Sequence, residues 1–129
     1  MPEHVDELIT VAKETINRVV DDVRFTSTVG SAALTKSGKI FSAVNLYHFT
    51  GGPCAEVSLL ARLATEDEVP ELIVAVGAQD RPVLEPCGKC RQIIFDIYPD
   101  TNVIIEDANE FKIIPIKDLL PHTYEWNSH

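Results

Sequence analysis

The sequence predicts an α/β fold, a mixed sheet of about five strands covered by helices, because two kinds of hydrophobic pattern alternate along it. Apolar residues at helical spacing open the chain, and Leu72-Ile73-Val74-Ala75-Val76 is a nearly unbroken apolar run of the kind buried on both faces of a sheet. Proline or glycine punctuates the junctions between such segments. At 129 residues the chain is expected to form a single domain, 1–129, with a real core and no room for a second. Hydrophobic residues at 45% and charged residues at 24% are ordinary globular values, which argues against global disorder.

Val5, Leu8, Ile9, Ala12, Ile16 and Val19 fall at helical spacing, so roughly residues 3–20 read as an amphipathic helix packed on the sheet. Glu3, Asp6 and Glu7 stand near its start, where the helix dipole favours negative charge. Residues 26–34 and 39–45 are two extended runs around a turn ending in Gly38, a β-hairpin pattern. An aromatic loop, Tyr47-His48-Phe49-Thr50-Gly51-Gly52, follows. A helix then begins at Pro53 or Cys54 and runs to Leu63 or Ala64; proline suits a first turn, where its missing N–H would be unpaired anyway. Glu66, Asp67, Glu68 and Pro70 make an acidic connection to the buried strand at 72–77. Residues 79–85 form a loop, and Pro86-Cys87 opens a further helix that Pro99 stops. Val103-Ile104-Ile105 is another buried strand, and 111–114 a weaker one held to an edge by Pro115. Ile116 to Leu120 reads as a last helical turn before Pro121.

The net charge of −9, with no basic run, would repel a phosphate backbone and makes nucleic acid a poor partner. Glu3, Asp6, Glu7 and Glu14 break up the continuous apolar core that a secretory signal needs, and no segment approaches a membrane span. An odd count of three cysteines without such a signal favours reduced thiols, so a cytoplasmic location is expected.

Those three cysteines carry the chemistry. Cys54 follows Pro53 and precedes Glu56 by two residues; Cys87 follows Pro86 and precedes Cys90 by three. Three unrelated buried thiols are the usual reading of scattered cysteines, but this spacing favours a common ion. Cys87 and Cys90 at i and i+3 face one side of a helix. Three sulfurs close a zinc site on three sides and leave the fourth for water. Cys-x-Glu followed by Pro-Cys-x-x-Cys is also the pattern of zinc-dependent nucleobase and nucleoside deaminases. Three thiolates around a doubly charged zinc leave a formal surplus of about one negative charge, which opposes ionisation of the bound water; helix N-termini offset it by about half a unit each. Arg91 is the first candidate for further compensation and Lys89 the second; the alternative for both is a solvated surface charge. Glu56, on the first turn of a helix, is the candidate proton carrier between water, ring nitrogen and leaving amine. Its plain alternative is a glutamate placed there by the dipole alone.

The resemblance extends beyond the metal motif. Val29-Gly30-Ser31-Ala32-Ala33-Leu34 and Phe41-Ser42-Ala43-Val44-Asn45 resemble the small homotetrameric cytidine deaminases. Asn45 matches the asparagine that binds the nucleoside sugar in that family. Those enzymes follow Asn-x with a ribose-binding glutamate, where this chain has Tyr47. The run from Asn45 to Glu56, Pro86-Cys87-Gly88-Lys89-Cys90-Arg91-Gln92, and the ending through Tyr124-Glu125-Trp126 are instead similar to the blasticidin S deaminases. This resemblance implies a three-layer α/β/α fold, one zinc ion per subunit and a homotetramer with active sites completed by neighbouring subunits. It also implies a cytosine nucleoside or analogue as the small-molecule substrate. Thr28 stands where the antibiotic deaminases have a substrate-contacting serine. Tyr47, Tyr124 and Trp126 are aromatic candidates for stacking on the substrate, Trp126 the foremost.

Hydrolytic deamination of a cytosine ring, with blasticidin S as substrate, is therefore the leading expectation; antibiotic resistance and pyrimidine salvage both stay open as the role. Cytidine or deoxycytidine salvage is the alternative within the class. A non-catalytic zinc-binding interaction domain is the alternative of another class, disfavoured because a closed structural site takes four protein ligands and only three cysteines are present.

Overall fold

The computed structural model describes residues 2–20, 26–79 and 81–126. The opening amphipathic segment folds as helix α1, Pro2–Val19, with Arg18 in its last turn, where a cation suits the negative end of the dipole. Its apolar stripe, Leu8, Ile9, Ala12 and Ile16, is buried against Ala32, Leu34, Leu72, Val74 and Val76 of the sheet.

That sheet has five strands: β1 Val29–Thr35, β2 Ile40–Val44, β3 Pro70–Gly77, β4 Asn102–Asp107 and β5 Glu110–Pro115, in the order β2-β1-β3-β4-β5. β1 pairs antiparallel with both β2 and β3, and β4 with β5. β3 and β4 run parallel. A parallel pair needs a crossover, and helix α3, Gly88–Ile97, provides it. Helices α2, Ala55–Thr65, and α3 cover the second face, where Leu59, Leu63 and Ile94 meet Ala33, Ile73 and Val103. Alternation along the strands serves both layers. Ala32, Leu72 and Val74 point to α1, while Ala33 and Ile73, one residue out of phase, point to α2 and α3. The expected α/β/α layering and mixed sheet are what the chain adopts. None of the described helices is long and apolar enough to cross a membrane.

Local differences from the sequence reading have simple causes. The middle helices start at Ala55 and Gly88, because Cys54 (φ −66°, ψ 161°) and Cys87 (φ −68°, ψ 168°) stay extended as N-caps. β1 begins at Val29 and not at 26, since the preceding residues pair with the loop after β2: Ser27 Oγ donates to Asn45 O at 2.8 Å, and the Tyr47 N–H to Thr26 O at 2.7 Å. β3 extends back to Pro70, the first position of a strand being one that tolerates proline. β5 lies at the sheet edge, as Pro115 requires. The final turn, Ile116–Leu119, is a 3-10 helix. Asp80, in the expected 79–85 loop, lies outside the described residues.

One glycine sets how closely the first layer docks. A Cβ on Gly30 would lie 2.3 Å from the carbonyl oxygen of Ala12 and 2.9 Å from Cβ of Ile16. Gly30→Ala should therefore push α1 off β1 and cost about 1–3 kcal/mol of unfolding free energy in a denaturant titration. An unchanged midpoint would contradict this close approach.

Candidate active site

The pairing register brings the start of β1 and the ends of β2 and β3 to one end of the sheet, with Val29 beside Gly77 and Gly30 beside Val44. Both α2 and α3 begin at that end. Each is entered through the same device: a proline, then an extended cysteine as N-cap, then the helix. The loop before Cys54 is folded back tightly. The Leu46 N–H donates to Pro53 O at 3.0 Å and the Gly51 N–H to His48 O at 3.0 Å. A Cβ on Gly52 would fall 1.8 Å from the Leu46 carbonyl oxygen, so only glycine fits there.

These turns gather Cys54, Cys87 and Cys90, whose sulfurs all lie within 4.8 Å of one another, with 4.0 Å between Cys54 and Cys87. A tetrahedral zinc with Zn–S bonds of about 2.3 Å holds its sulfurs about 3.8 Å apart, so the cluster is close to the size one ion demands. A disulfide, with sulfurs about 2.05 Å apart, does not fit these separations. Three soft donors with a free fourth direction suit zinc. Cys54 is half-buried, Cys87 exposed and Cys90 buried at 1% exposure.

The thiols differ in how readily they ionise. Burial pushes Cys90 well up, helped by the nearby Glu56 carboxylate and the other two sulfurs. Burial also raises Cys54 against a lowering contact with Cys90. Burial acts the same way on Cys87, but the backbone N–H groups of Cys90 and Lys89 at the start of α3, with the neighbouring sulfurs, turn the balance and bring it down. In the metal-free protein Cys90 and Cys54 therefore hold their protons at neutral pH, and a zinc ion must displace them. Zinc affinity should rise with pH, and calorimetry in buffers of differing ionisation enthalpy should register proton release; pH-independent affinity without proton release would contradict this.

Glu56, in the first turn of α2, is 6% exposed, and burial raises its pKa against the lowering effect of its own backbone N–H. It lines a cavity of about 170 Å³ together with Cys54, Cys87, Asn45, Val29 and Glu85. A buried carboxyl of raised proton affinity beside a thiol cluster and an open cavity is suited to moving protons.

The other residues singled out from the sequence are distributed as follows. Asn45 reaches the cavity wall, but its Oδ1 accepts from the N–H groups of Thr28 (2.7 Å) and Val29 (2.9 Å), and its Nδ2 donates to Thr28 Oγ1 at 3.1 Å. Thr28 sits behind Asn45 and orients it. Tyr47, Tyr124 and Trp126, exposed by 72%, 62% and 56%, are outside the cavity wall. Arg91 braces the metal turn: Nε donates to Pro86 O at 2.7 Å and Nη1 to Leu119 O at 3.2 Å. Lys89 is exposed on the first turn of α3.

Two features were not assigned from sequence. Gln92 latches the C-terminal segment, its Nε2 donating to Tyr124 O at 3.1 Å and to Asp96 Oδ1 at 2.9 Å, while its Oε1 accepts from Thr123 Oγ1 at 3.0 Å. Glu85 lines the cavity; its position directly before Pro86-Cys87 was the signal that could have found it.

Three thiols close enough to hold one metal ion and a buried carboxyl, at the shared start of two helices on a three-layer sheet, are the arrangement a zinc aminohydrolase requires. Residues 2–106 match the family described as the cytidine and deoxycytidylate deaminase zinc-binding region, and the chain belongs to that family. It is 34% identical to a blasticidin-S deaminase of Bacillus cereus, covering 94% of this chain and 92% of that protein. It is 30% identical to a cytidine deaminase of Halalkalibacterium halodurans, covering 74% of this chain and 76% of that one. Among solved structures, a cytidine deaminase from Burkholderia pseudomallei superposes with a TM-score of 0.75 at 26% identity, over 93% of this chain and 98% of that chain. A mutant cytidine deaminase from Mycobacterium tuberculosis gives a TM-score of 0.78 at 22% identity, over 96% and 97% of the two chains. The protein is an enzyme of zinc-dependent deamination acting on a small molecule, with zinc as its cofactor. The alternative of a non-catalytic zinc interaction domain gives way to this.

Proposed function

We propose that this chain removes the exocyclic amine from the cytosine ring of blasticidin S, yielding ammonia and the uracil analogue. The observation that carries the deamination chemistry is the buried Glu56 beside the Cys54, Cys87 and Cys90 cluster, on one base-sized cavity. Support for the substrate comes from the Bacillus cereus relative, alike over almost the whole chain, and from Tyr47 in place of the ribose-binding glutamate of cytidine deaminases.

Cys54, Cys87 and Cys90 would hold the zinc ion, which supplies a water of lowered pKa and a Lewis acid when bound. Glu56 takes a proton from the attacking water and delivers it to the ring nitrogen as the water oxygen adds to the amine-bearing carbon. Its carboxyl then carries a proton to the departing amine, which leaves as ammonia while the carbonyl forms. The N-termini of α2 and α3 hold partial positive charge at Cys54 and Cys87, and Arg91 and Lys89 add cationic charge on the same turn of α3. Asn45, oriented by Thr28, presents its remaining amide N–H at the wall as a substrate donor.

The cavity of about 170 Å³ is smaller than the about 300–1,000 Å³ of a complete small-molecule site, so one chain encloses the ring and leaves the rest of the substrate to another surface. A homotetramer supplies that surface on this reading. The exposed Tyr47, Tyr124 and Trp126 belong to the substrate-covering set between subunits. The enzyme then acts in the cytoplasm as an antibiotic-resistance factor.

The second reading, cytidine or deoxycytidine as substrate, is favoured by the Halalkalibacterium halodurans relative and by Asn45 at the wall. A panel decides. With zinc quantified on the same sample, kcat/KM from the loss of cytosine absorbance should be highest on blasticidin S. A higher value on cytidine or deoxycytidine would overturn the substrate and keep the reaction.

A further inference from the structure

The main chain on both sides of Glu85 is anchored, although the side chain itself is exposed. The Leu84 N–H donates to Ala75 O at 2.9 Å, and Val83 forms a bridge with Val76, so the backbone before Glu85 is fastened to β3. On its other side Pro86 restricts the main chain, and Arg91 Nε holds the Pro86 carbonyl at 2.7 Å. The carboxylate hanging from this strip lines the substrate cavity, yet it takes no hydrogen bond or ion pair from any described residue. No lysine, arginine or histidine among the described residues lines that cavity. Glu56 is the other carboxyl of the wall, and its task is proton transfer within the ring site.

We propose that Glu85 is a specificity-determining residue that selects cytosine substrates carrying a positive group beyond the ring and disfavours those carrying a phosphate. This rests on the reading of the site as a cytosine deaminase. An exposed carboxylate with no partner among the described residues, on a cavity lined by no cationic side chain, forms a charge-assisted hydrogen bond with an ammonium or guanidinium group and repels an anion. No described side chain neutralises it, so its charge remains available to the ligand. The net charge of −9 acts in the same direction over a longer range. The family description includes deoxycytidylate, an anionic substrate; Glu85 separates this chain from that part of the range.

The test uses the zinc-loaded enzyme with three probes: 5′-amino-5′-deoxycytidine, cytidine, and cytidine 5′-monophosphate. Each is measured as a substrate and as a competitive inhibitor of blasticidin S deamination, in the wild type and in Glu85→Gln, at low and high salt. Wild type should favour the amine over the phosphate. Glu85→Gln should reduce that preference about tenfold or more, through KM or Ki with the zinc content unchanged. High salt should shrink the wild-type preference towards that of the variant. An unchanged amine-to-phosphate ratio in Glu85→Gln, whatever the absolute rates, overturns the proposal. Equal losses on all three probes would overturn it too, assigning Glu85 to the ring or sugar common to them. Failure of the zinc-loaded wild type to deaminate blasticidin S and every probe would instead sink the deaminase reading, and this inference with it.

Discussion

Glu56→Gln is expected to retain about one zinc per chain and to lose about ten-thousand-fold in kcat, the upper end of what general acid–base catalysis contributes. The size follows from the number of steps that pass through one group. In the proposed mechanism Glu56 takes the proton from water, protonates the ring and supplies the leaving amine, and among the described residues no titratable side chain besides Glu85 and the thiols joins it on the cavity wall. Glutamine has the same shape and fills the same buried place, so packing and metal binding should stand. Burial already raises the Glu56 pKa, which places its carboxyl nearer to neutrality and makes it a better carrier than an exposed glutamate. Metal analysis and kcat on one preparation check this. Wild-type turnover in the variant would remove Glu56 from the mechanism, whereas loss of zinc would make its role structural.

Cys87→Ala is expected to fall from about one zinc per chain to below about one-tenth and to have no measurable turnover. Of the three proposed ligands Cys87 is the informative one, because it is exposed and caps a helix without filling the core. Its removal should leave the apoprotein folded, so that metal loss is read directly. Cys90, at 1% exposure, would add a packing defect to the lost ligand. The melting temperature of Cys87→Ala should match that of chelated wild type, because both would lack the metal proposed to link the starts of α2 and α3. Full zinc in Cys87→Ala would mean that another donor completes the site, and the cavity-lining Glu85 would be the first to examine.

Much of this site is legible in the chain because its parts are local. Pro53-Cys54 and Pro86-Cys87 each announce a helix start, and Cys90 and Glu56 follow at spacings that helical geometry turns towards the same point. The fold is legible for a similar reason: the Leu72–Val76 run demands burial on two faces, and Pro115 restricts its strand to an edge. What sequence did not give is whatever depends on distant partners. The amide of Asn45 is committed to Thr28 and Val29 across the hairpin, so its place at the wall follows from β1–β2 pairing. Arg91 is adjacent to a cysteine in sequence, but two of its donors go to carbonyls at Pro86 and Leu119. The latch from Gln92 to Thr123 and Tyr124 joins segments about thirty residues apart, beyond the reach of spacing arguments. Glu85 falls in a loop by sequence, and only the pairing of residues 83 and 84 with β3 brings it to the cavity.

The central claim, zinc-dependent removal of an amine from a cytosine ring, is most directly tested by one coupled measurement. Zinc content, ammonia released and loss of cytosine absorbance are followed on a single sample with blasticidin S, cytidine and deoxycytidine, before chelation, after it, and after zinc is restored. About one zinc per chain, ammonia equal to the cytosine consumed, and activity that vanishes and returns with the metal are the predicted results. A fully zinc-loaded protein that releases no ammonia from any of the three would contradict it.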